Sequence, residues 1–298
     1  MNSIVDLITT ASTAFESQQI SDSCKLDAEL LMSHCLKQTR TYLYTWPEKI
    51  LSENQQACFD ELVQKRLQGQ PIAHLMGERE FWGLNLKVTP DTLIPRPDTE
   101  ILIETALQKL STLKKVNAPL SQNQQACHIL DLGTGTGAIA LALKSELPAC
   151  KVTAIDFSLA ALEVAKHNAL SHQLNIELIH SSWFDALKSL QQFDLIASNP
   201  PYIEAQDPHL TQGDVRFEPL SALTAGSDGL DDLKVIIGQA CSFLKKDGWL
   251  LVEHGYNQAH SVATLFAQHD FKHIETIQDY GQNPRITLGQ KTERISPC

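Results

Sequence analysis

Phe193-Asp-Leu-Ile-Ala-Ser-Asn-Pro-Pro-Tyr202 joins a strand pattern to a rigid turn. The run Phe193–Ser198 is short and almost wholly apolar, which is typical of a strand buried on both faces of a sheet. Two prolines then stiffen the backbone of the turn that follows. In open α/β sheets, ligands bind beyond the carboxyl ends of the strands. The segment Asn199–Tyr202 is therefore predicted to lie in a ligand site.

The segment Asn199–Tyr202 also carries groups that can bind a planar NH2 group. An Asn side-chain oxygen and a backbone carbonyl from the stiffened turn supply two acceptors, enough for both N–H bonds of a planar NH2 group. The aromatic ring of Tyr202 can cover the flat face of that group. Asn-Pro and Pro-Pro are also common turn punctuation, so the interpretation needs a second motif. The catalytic candidates are Asn199, Pro200 and Tyr202, and the substrate-binding candidates are Asn199, Pro200, Pro201 and Tyr202.

A glycine-rich loop, Asp131-Leu-Gly-Thr-Gly-Thr-Gly137, supplies the second motif. Glycines lack a Cβ, so the backbone can turn tightly and approach a ligand at the start of the next helix. Asp156, at the end of the following strand, can accept hydrogen bonds from ribose hydroxyls. The same glycines with Ala138 also fit the dinucleotide pattern, so the loop alone leaves a nicotinamide cofactor and S-adenosyl-L-methionine both open. The cofactor-binding candidates here are Gly133, Thr134, Gly135, Thr136, Gly137 and Asp156.

Three features favour S-adenosyl-L-methionine. Asp131 can meet the positively charged methionine end of that cofactor, whereas it would repel a pyrophosphate. Trp183, after the third strand, can form an apolar wall for adenine, although a tryptophan there also suits the core. The Asn199–Tyr202 segment is a feature that a dehydrogenase would not need. The motifs together predict methyl transfer to a planar amide or amine nitrogen, with S-adenosyl-L-homocysteine as the second product.

From about residue 125 the sequence alternates short apolar strands with amphipathic helices. Such alternation requires crossover connections and predicts an α/β fold with a mostly parallel, seven-stranded, Rossmann-like sheet. Two final strands, Phe271–Ile277 and Arg285–Leu288, are predicted to form an antiparallel pair at one edge. The other strands are predicted at His128–Asp131, Val152–Asp156, Ile176–Ile179, Phe193–Ser198 and Trp249–Glu253, with helices near 137–146, 159–172 and 229–245.

The amino-terminal part has a different pattern. Residues 1–75 carry apolar side chains at helical intervals without strand alternation, which predicts a small helical bundle. Residues 76–95 hold a turn and a strand-like run, so a hairpin linker is expected there. Residues 96–298 would then form the methyltransferase domain, opening with a helix whose first acids, Asp98 and Glu100, suit either the helix dipole or a ligand. Because 1–75 contains no residues of evident chemical function, its predicted role is substrate recognition.

Composition limits the partners. The 298 residues carry a formal net charge of −11, which disfavours nucleic acid because phosphate binding gains affinity from clustered Lys and Arg. The seven cysteines are scattered, with no C-x-x-C spacing, so they are predicted to be thiols in a reducing compartment and no metal site is expected. The first residues lack a signal-peptide pattern, and no apolar run is long enough to cross a bilayer. A cytoplasmic protein without a membrane partner is expected.

The same motifs occur together in a known family. The chain resembles the HemK/PrmC family, the release factor glutamine methyltransferases, in Ile94-Pro-Arg-Pro-Asp-Thr-Glu100, Asp131–Gly137, Asn199–Tyr202 and Gln212-Gly-Asp-Val-Arg-Phe-Glu-Pro-Leu-Ser-Ala-Leu223. The resemblance runs through nearly the whole chain and includes Asp279-Tyr-Gly281. Asn-Pro-Pro-Tyr is shared with adenine-N6 methyltransferases, whereas the linker and Phe217-Glu-Pro219 are typical of this subfamily.

The resemblance implies a monomeric, cytoplasmic enzyme that methylates the side-chain amide nitrogen, N5, of a glutamine. That glutamine belongs to the Gly-Gly-Gln motif of class I peptide chain release factors. By position, the resemblance assigns Gly133–Gly137, Asp156, Trp183 and Asn199 to S-adenosyl-L-methionine, and Asn199–Tyr202 to the glutamine. Three alternatives stay open at this point: an adenine-N6 methyltransferase acting on nucleic acid, a dehydrogenase, and a non-catalytic nucleotide-binding module.

Overall fold

The computed structural model describes residues 2–112, 127–188 and 190–292. The chain forms two compact units. The first contains Met1–Arg79 together with Pro208–Glu218, and the second contains Glu80–Asp207 together with Pro219–Cys298. The sequence-based division at 75 and 95 stays a prediction, and it had placed Pro208–Glu218 in the methyltransferase part.

The first unit is built from helices, as its apolar spacing predicts. They are α1 (Ile4–Ser17), α2 (Cys24–Leu36), α3 (Arg40–Thr45), α4 (Glu53–Leu67) and α5 (Ile72–Met76). Capping boxes start two of them, because the Ser3 and Ser52 hydroxyls accept the backbone N–H of Asp6 and Gln55. One face of α1 is buried in a core shared with α2 and α4, which contains Ile4, Leu7, Ile8, Ala11, Phe15, Ala28, Leu31, Met32 and Phe59.

A buried ion pair organises the polar side of this unit. Arg66 is 3% exposed, and its guanidinium lies 2.9 Å from Asp27 and 3.0 Å from Asp214. Its Nη1 also donates to the Gln70 carbonyl at 2.9 Å. Arg216 in turn donates to the Gln68 carbonyl at 3.1 Å. These contacts explain why Pro208–Glu218 belongs to the helical unit.

The second unit carries the sheet. Its elements follow β1 (Glu78–Phe81) in the order β2 (Leu84–Lys87), α6 (Glu100–Thr112), β3 (His128–Leu132), α7 (Ala138–Glu146), β4 (Lys151–Asp156), α8 (Leu159–Ser171), β5 (Glu177–His180), β6 (Phe193–Ser198), α9 (Asp231–Phe243), β7 (Leu244–Glu253), α10 (Ala259–Gln268), β8 (Phe271–Gln278) and β9 (Pro284–Lys291). β1 and β2 form the expected hairpin, whose turn is held by Trp82 N–H donating to Glu100 at 3.0 Å.

The seven-stranded sheet has the order β5-β4-β3-β6-β7-β9-β8. Strands β3 to β7 pair in parallel, whereas β9 is antiparallel to β7 and to β8. The predicted fold class and the antiparallel edge pair are confirmed. Helices pack on both faces, so the sheet separates two apolar cores, one around Ile129 and Leu195 and the other around Leu130 and Ile196.

Two elements differ from the prediction. β7 starts at Leu244 rather than Trp249, because Leu244 is fully buried and pairs with Phe193 as soon as α9 ends. The helix α10 was missed, although Val262 and Phe266, four residues apart, form an apolar stripe that becomes buried against the sheet. Neither error affects the strands that carry the site.

Candidate active site

A cavity of about 300 Å³ lies in the second unit. Its volume is at the lower end of the range typical of small-molecule sites. Most of the predicted residues line it, namely Gly133, Thr134, Gly135, Thr136, Asp156, Trp183, Asn199 and Pro201. The cavity therefore brings together the ends of β3, β4 and β6, because parallel neighbours finish at the same edge of the sheet.

The glycine loop is folded back on β4. The backbone N–H groups of Gly133 and Thr134 both donate to the Ile155 carbonyl at 2.9 Å. Gly135 has a φ of +55° and nothing within 4 Å of the position that a Cβ would take, so its backbone is open to a ligand in the cavity. Gly137 differs: a Cβ there would meet Leu141 at 3.1 Å, and Gly137 does not line the cavity. A Cβ at position 137 would crowd the packing of α7 against α8, since Ala165 on α8 would lie 3.3 Å from it.

A buried asparagine outside the motifs supports this loop. Asn168 on α8 is 1% exposed, and its Nδ2 donates to the Thr136 carbonyl at 2.9 Å. The same amide exchanges hydrogen bonds with both the N–H and the carbonyl of Lys87 on β2. Sequence reasoning missed Asn168, since an isolated asparagine in a helix gives no local signal. It connects the hairpin to the cofactor loop.

Asp131 lies beneath the glycine loop and fixes it through one of its two carboxylate oxygens. It is completely buried, and its Oδ2 accepts the Thr134 hydroxyl at 2.5 Å and the Ala140 N–H at 3.1 Å. Burial raises the pKa of Asp131 to about 7. Asp131 does not line the cavity. Its other oxygen, Oδ1, is buried and has no hydrogen-bond partner among the described residues, so the contact with the methionine end of the cofactor stays a prediction.

Asp156 and Trp183 lie in the cavity wall. The Asp156 carboxylate accepts the Gly135 N–H and the Ser158 N–H, each at 2.8 Å. Burial raises the pKa of Asp156. The Trp183 ring lies 3.4 Å from the position of a Cβ on Gly133, and its indole N–H donates to Asp232 at 3.2 Å. An acid beside an aromatic wall suits a nucleoside, whose ribose and base need these two kinds of contact.

Asn199 faces the cavity with a buried, unsatisfied acceptor. Its Nδ2 donates to the Thr99 hydroxyl at 3.1 Å. Its Oδ1 is buried and has no hydrogen-bond partner among the residues that the structure describes. Buried polar atoms are nearly always paired, so an orphan acceptor in a cavity wall indicates that a ligand donates to it. The site thus fits an N–H group at this atom.

The other residues of the turn differ in whether they line the cavity. Pro201 lines the cavity, whereas Pro200 and Tyr202 do not. The Tyr202 hydroxyl donates to Glu253 at 3.2 Å, and its carbonyl accepts Gln258 Nε2 at 3.0 Å. The turn is therefore fixed at both its side chains and its backbone.

Several lining residues were not among the sequence candidates. They include Phe81, Arg96, Thr99, Phe157, Ser181, Ser182, Ser221, Ala222 and Asp232. Phe157 is 73% exposed, which is unusual for a phenylalanine, and its position directly after Asp156 was a usable signal. Thr99 lies in the Pro97–Thr99 turn that begins the helical segment, where helix-start chemistry masked its role.

Comparison with known proteins identifies the chain. Residues 6–77 match the PrmC N-terminal domain, and residues 123–291 match a methyltransferase domain. The release factor glutamine methyltransferase of Vibrio cholerae is 48% identical over 296 residues, covering 99% of both chains. The protein of the same name from Escherichia coli is 48% identical over 278 residues, covering 93% of this chain and 96% of its own.

The chain belongs to the release factor glutamine methyltransferases. It is a methyltransferase whose cofactor is S-adenosyl-L-methionine. Among solved structures, the catalytic domain of hMettl16 in complex with a 3'UTR hairpin shares the fold, with a TM-score of 0.56 at 16% identity over 78% of this chain and 81% of that one. This likeness extends to the fold alone.

The described residues contain neither a metal-binding cluster nor a membrane-spanning helix. Within 2–112, 127–188 and 190–292, no group of three or more His, Cys, Asp or Glu side chains is placed to hold a metal ion. In the same ranges, none of the helices combines the length and apolar character needed to cross a bilayer.

Proposed function

We propose that the chain transfers the methyl group of S-adenosyl-L-methionine to N5 of the glutamine in the Gly-Gly-Gln motif of class I peptide chain release factors. The observation that carries this proposal is the buried, unpartnered Oδ1 of Asn199 in the wall of the cavity. A primary amide offers the N–H donors that this acceptor lacks. The relatives are named release factor glutamine methyltransferases, and on this basis we assign the amide to a glutamine of a release factor.

The residues of the turn have the task of placement. Bound S-adenosyl-L-methionine supplies a methyl group that is already strongly electrophilic. An amide nitrogen is a poor nucleophile because its lone pair is delocalised into the carbonyl. Asn199 Oδ1 accepts one of its N–H bonds, the Pro200 carbonyl accepts the other, and both raise the electron density on nitrogen. Pro200 and Tyr202 do not line the described cavity, so these contacts require the substrate amide to reach beyond it. There the Tyr202 ring covers the amide plane, and the prolines keep the acceptors fixed before the substrate arrives.

A strong general base is unnecessary in this reaction. The methylated amide nitrogen becomes very acidic, so its proton passes readily to water or to a neutral acceptor. An asparagine at 199 also avoids the cost of an unpaired buried charge. The turn therefore suffices without a histidine or a dedicated carboxylate in contact with the nitrogen.

The cofactor is proposed to lie against the glycine loop. The loop lines the cavity with the backbone of Gly133, Thr134, Gly135 and Thr136. Nothing lies within 4 Å of the Cβ position of Gly135, so a cofactor can approach the backbone there without a clash. Asp156 holds the ribose hydroxyls, and Trp183 contacts the adenine. Gly137 contributes by allowing α7 to start where it does.

Recognition of the intact protein substrate is assigned to the helical part, residues 1–75. This segment carries a core of its own and supplies none of the residues that line the cavity. We further infer that the enzyme acts as a cytoplasmic monomer without a nucleic acid partner. The net charge of −11 supports the absence of a nucleic acid partner, because an acidic protein gains little from releasing phosphate counterions. Sedimentation of the purified chain tests the monomer.

One incubation tests the function. The enzyme is mixed with labelled S-adenosyl-L-methionine and, in separate reactions, an intact class I release factor, a short Gly-Gly-Gln peptide, duplex DNA or RNA. We expect one methyl group on the Gly-Gly-Gln glutamine of the factor, located by mass mapping. The peptide should react far more slowly, because remote contacts supply positioning energy. Label in adenine and none in glutamine would refute the proposal.

A further inference from the structure

A buried glutamate accepts hydrogen bonds from Thr99, before α6, and from Tyr202, in the Asn199–Tyr202 turn. Glu253, the last residue of β7, is 1% exposed. The Thr99 hydroxyl donates to its Oε2 at 2.7 Å, and the Tyr202 hydroxyl donates to its Oε1 at 3.2 Å. Burying a carboxylate is costly, so one that is kept beside a reactive site needs a reason. Neither the proposed mechanism nor the glycine loop uses it.

The directions of these hydrogen bonds depend on the charge of Glu253. An ionised carboxylate can only accept, and a threonine hydroxyl has a single proton to donate. When Glu253 is ionised, Thr99 therefore gives its proton to Glu253, and the Thr99 oxygen is left to accept. Thr99 accepts from Asn199 Nδ2 at 3.1 Å. The second amide atom of Asn199, Oδ1, is then the one that faces the cavity as an acceptor.

We propose that Thr99 and Glu253 are positioning residues for the methyl transfer, acting as a relay that fixes which end of the Asn199 amide meets the substrate. This inference rests on the function proposed above. An Asn199 amide turned by 180° would present its NH2 to the NH2 of the substrate, so donor would face donor. Because the two ends of an amide have nearly the same shape, packing alone discriminates poorly between them. The relay from Glu253 through Thr99 makes the choice electrostatically.

The surroundings of Glu253 make the relay sensitive to pH. Burial raises the pKa of Glu253 to about 7, the charge of Arg285 opposes this, and Asp98 reinforces it. Arg285 is itself paired with Asp279 at 3.1 Å and Asp98 at 3.6 Å. Burial also raises the pKa of Tyr202, which keeps its hydroxyl a donor. A protonated Glu253 can donate to Thr99, which frees the Thr99 proton to point at Asn199 and removes the preference.

Three variants test the relay. Thr99→Val removes the hydroxyl and keeps the shape, Thr99→Ser keeps the hydroxyl, and Glu253→Gln replaces one accepting oxygen by a donor. We expect Thr99→Val and Glu253→Gln to lower kcat on an intact release factor by about tenfold or more, which is less than the roughly hundredfold loss on removing a group that contacts the reacting atoms itself. Thr99→Ser should lose much less. The Kd for S-adenosyl-L-methionine should change little in all three, in contrast to kcat.

The pH profile adds a readout that a merely structural role would not change. Wild-type kcat should fall as the pH drops through about 7, and Glu253→Gln should lack this acidic limb. If Thr99→Val kept the kcat of the wild type, or if Thr99→Ser and Thr99→Val lost kcat equally, the relay would be overturned. If Glu253→Gln does not fold, as judged by its thermal transition, the Thr99 pair decides alone. A wild-type enzyme that leaves glutamine unmethylated would overturn the proposed function, and the relay with it.

Discussion

Gly135→Ala separates the role of the glycine loop in cofactor binding from its role in folding. Gly135 has a φ of +55°, and a Cβ there would have nothing within 4 Å. The added methyl group therefore has room in the folded chain. The remaining cost is that of a left-handed backbone at alanine, which amounts to about 1–2 kcal/mol and is partly offset by a stiffer unfolded chain. We expect a loss of about 1 kcal/mol in the free energy of unfolding.

Gly77→Ala is the matched control. Gly77 follows α5 in the helical unit, has a φ of +74° and likewise has nothing within 4 Å of its Cβ position. The backbone strain, and hence the loss of stability, should be about the same as for Gly135→Ala. Gly77 does not line the cavity, whereas Gly135 does. Only Gly135→Ala should weaken the binding of S-adenosyl-L-methionine.

The size of the binding loss follows from the close approach. A methyl group on Gly135 would stand between the backbone and any ligand in a cavity of about 300 Å³. We expect the Kd to rise at least tenfold, which corresponds to about 1.4 kcal/mol. Calorimetric titration gives the Kd, and thermal unfolding gives the stability. An unchanged Kd in folded Gly135→Ala, or an equal rise in Gly77→Ala, would refute the close approach.

Three further outcomes are expected. Asp156→Ala should weaken S-adenosyl-L-methionine binding by about 1.5–3 kcal/mol, because charge-assisted hydrogen bonds to the ribose are lost; titration of a folded variant with unchanged affinity would remove Asp156 from the site. Asn199→Ala should lower turnover about a hundredfold or more, with a smaller effect on cofactor affinity, since a preorganised contact disappears; near wild-type turnover in a single-turnover assay would contradict the role of the turn. Burial raises the pKa of Asp131 to about 7. Between about pH 4 and 7, Asp131 therefore keeps its proton in the folded state but has lost it in the unfolded state. Because of this difference, the free energy of unfolding should decrease as the pH rises through that range. Thermal unfolding of Asp131→Asn across pH 5–8 should show a smaller decrease than the wild type, and an identical slope would count against the raised pKa.

Local sequence determined the elements and the two motifs of the site. Apolar runs of five or six residues specify strands such as β3 and β6 because both of their faces are buried. Ser3 and Ser52 start helices through contacts with residues only three positions away. The glycines and prolines act on their own backbone angles. Each of these effects involves near neighbours, so it can be recognised without knowing the packing.

Only the tertiary structure decided how the site is completed. Asn199 and Thr99 are 100 positions apart, and Thr99 and Glu253 are 154 apart, yet a chain of hydrogen bonds joins them. The burial of Asp131 likewise depends on how α7 lies over β3, since the Ala140 N–H on α7 donates to its carboxylate. Such contacts arise from the order in which strands join the sheet, which places the ends of β6 and β7 beside the turn before α6. A pattern of neighbouring residues carries no information about partners that packing alone brings within hydrogen-bonding distance.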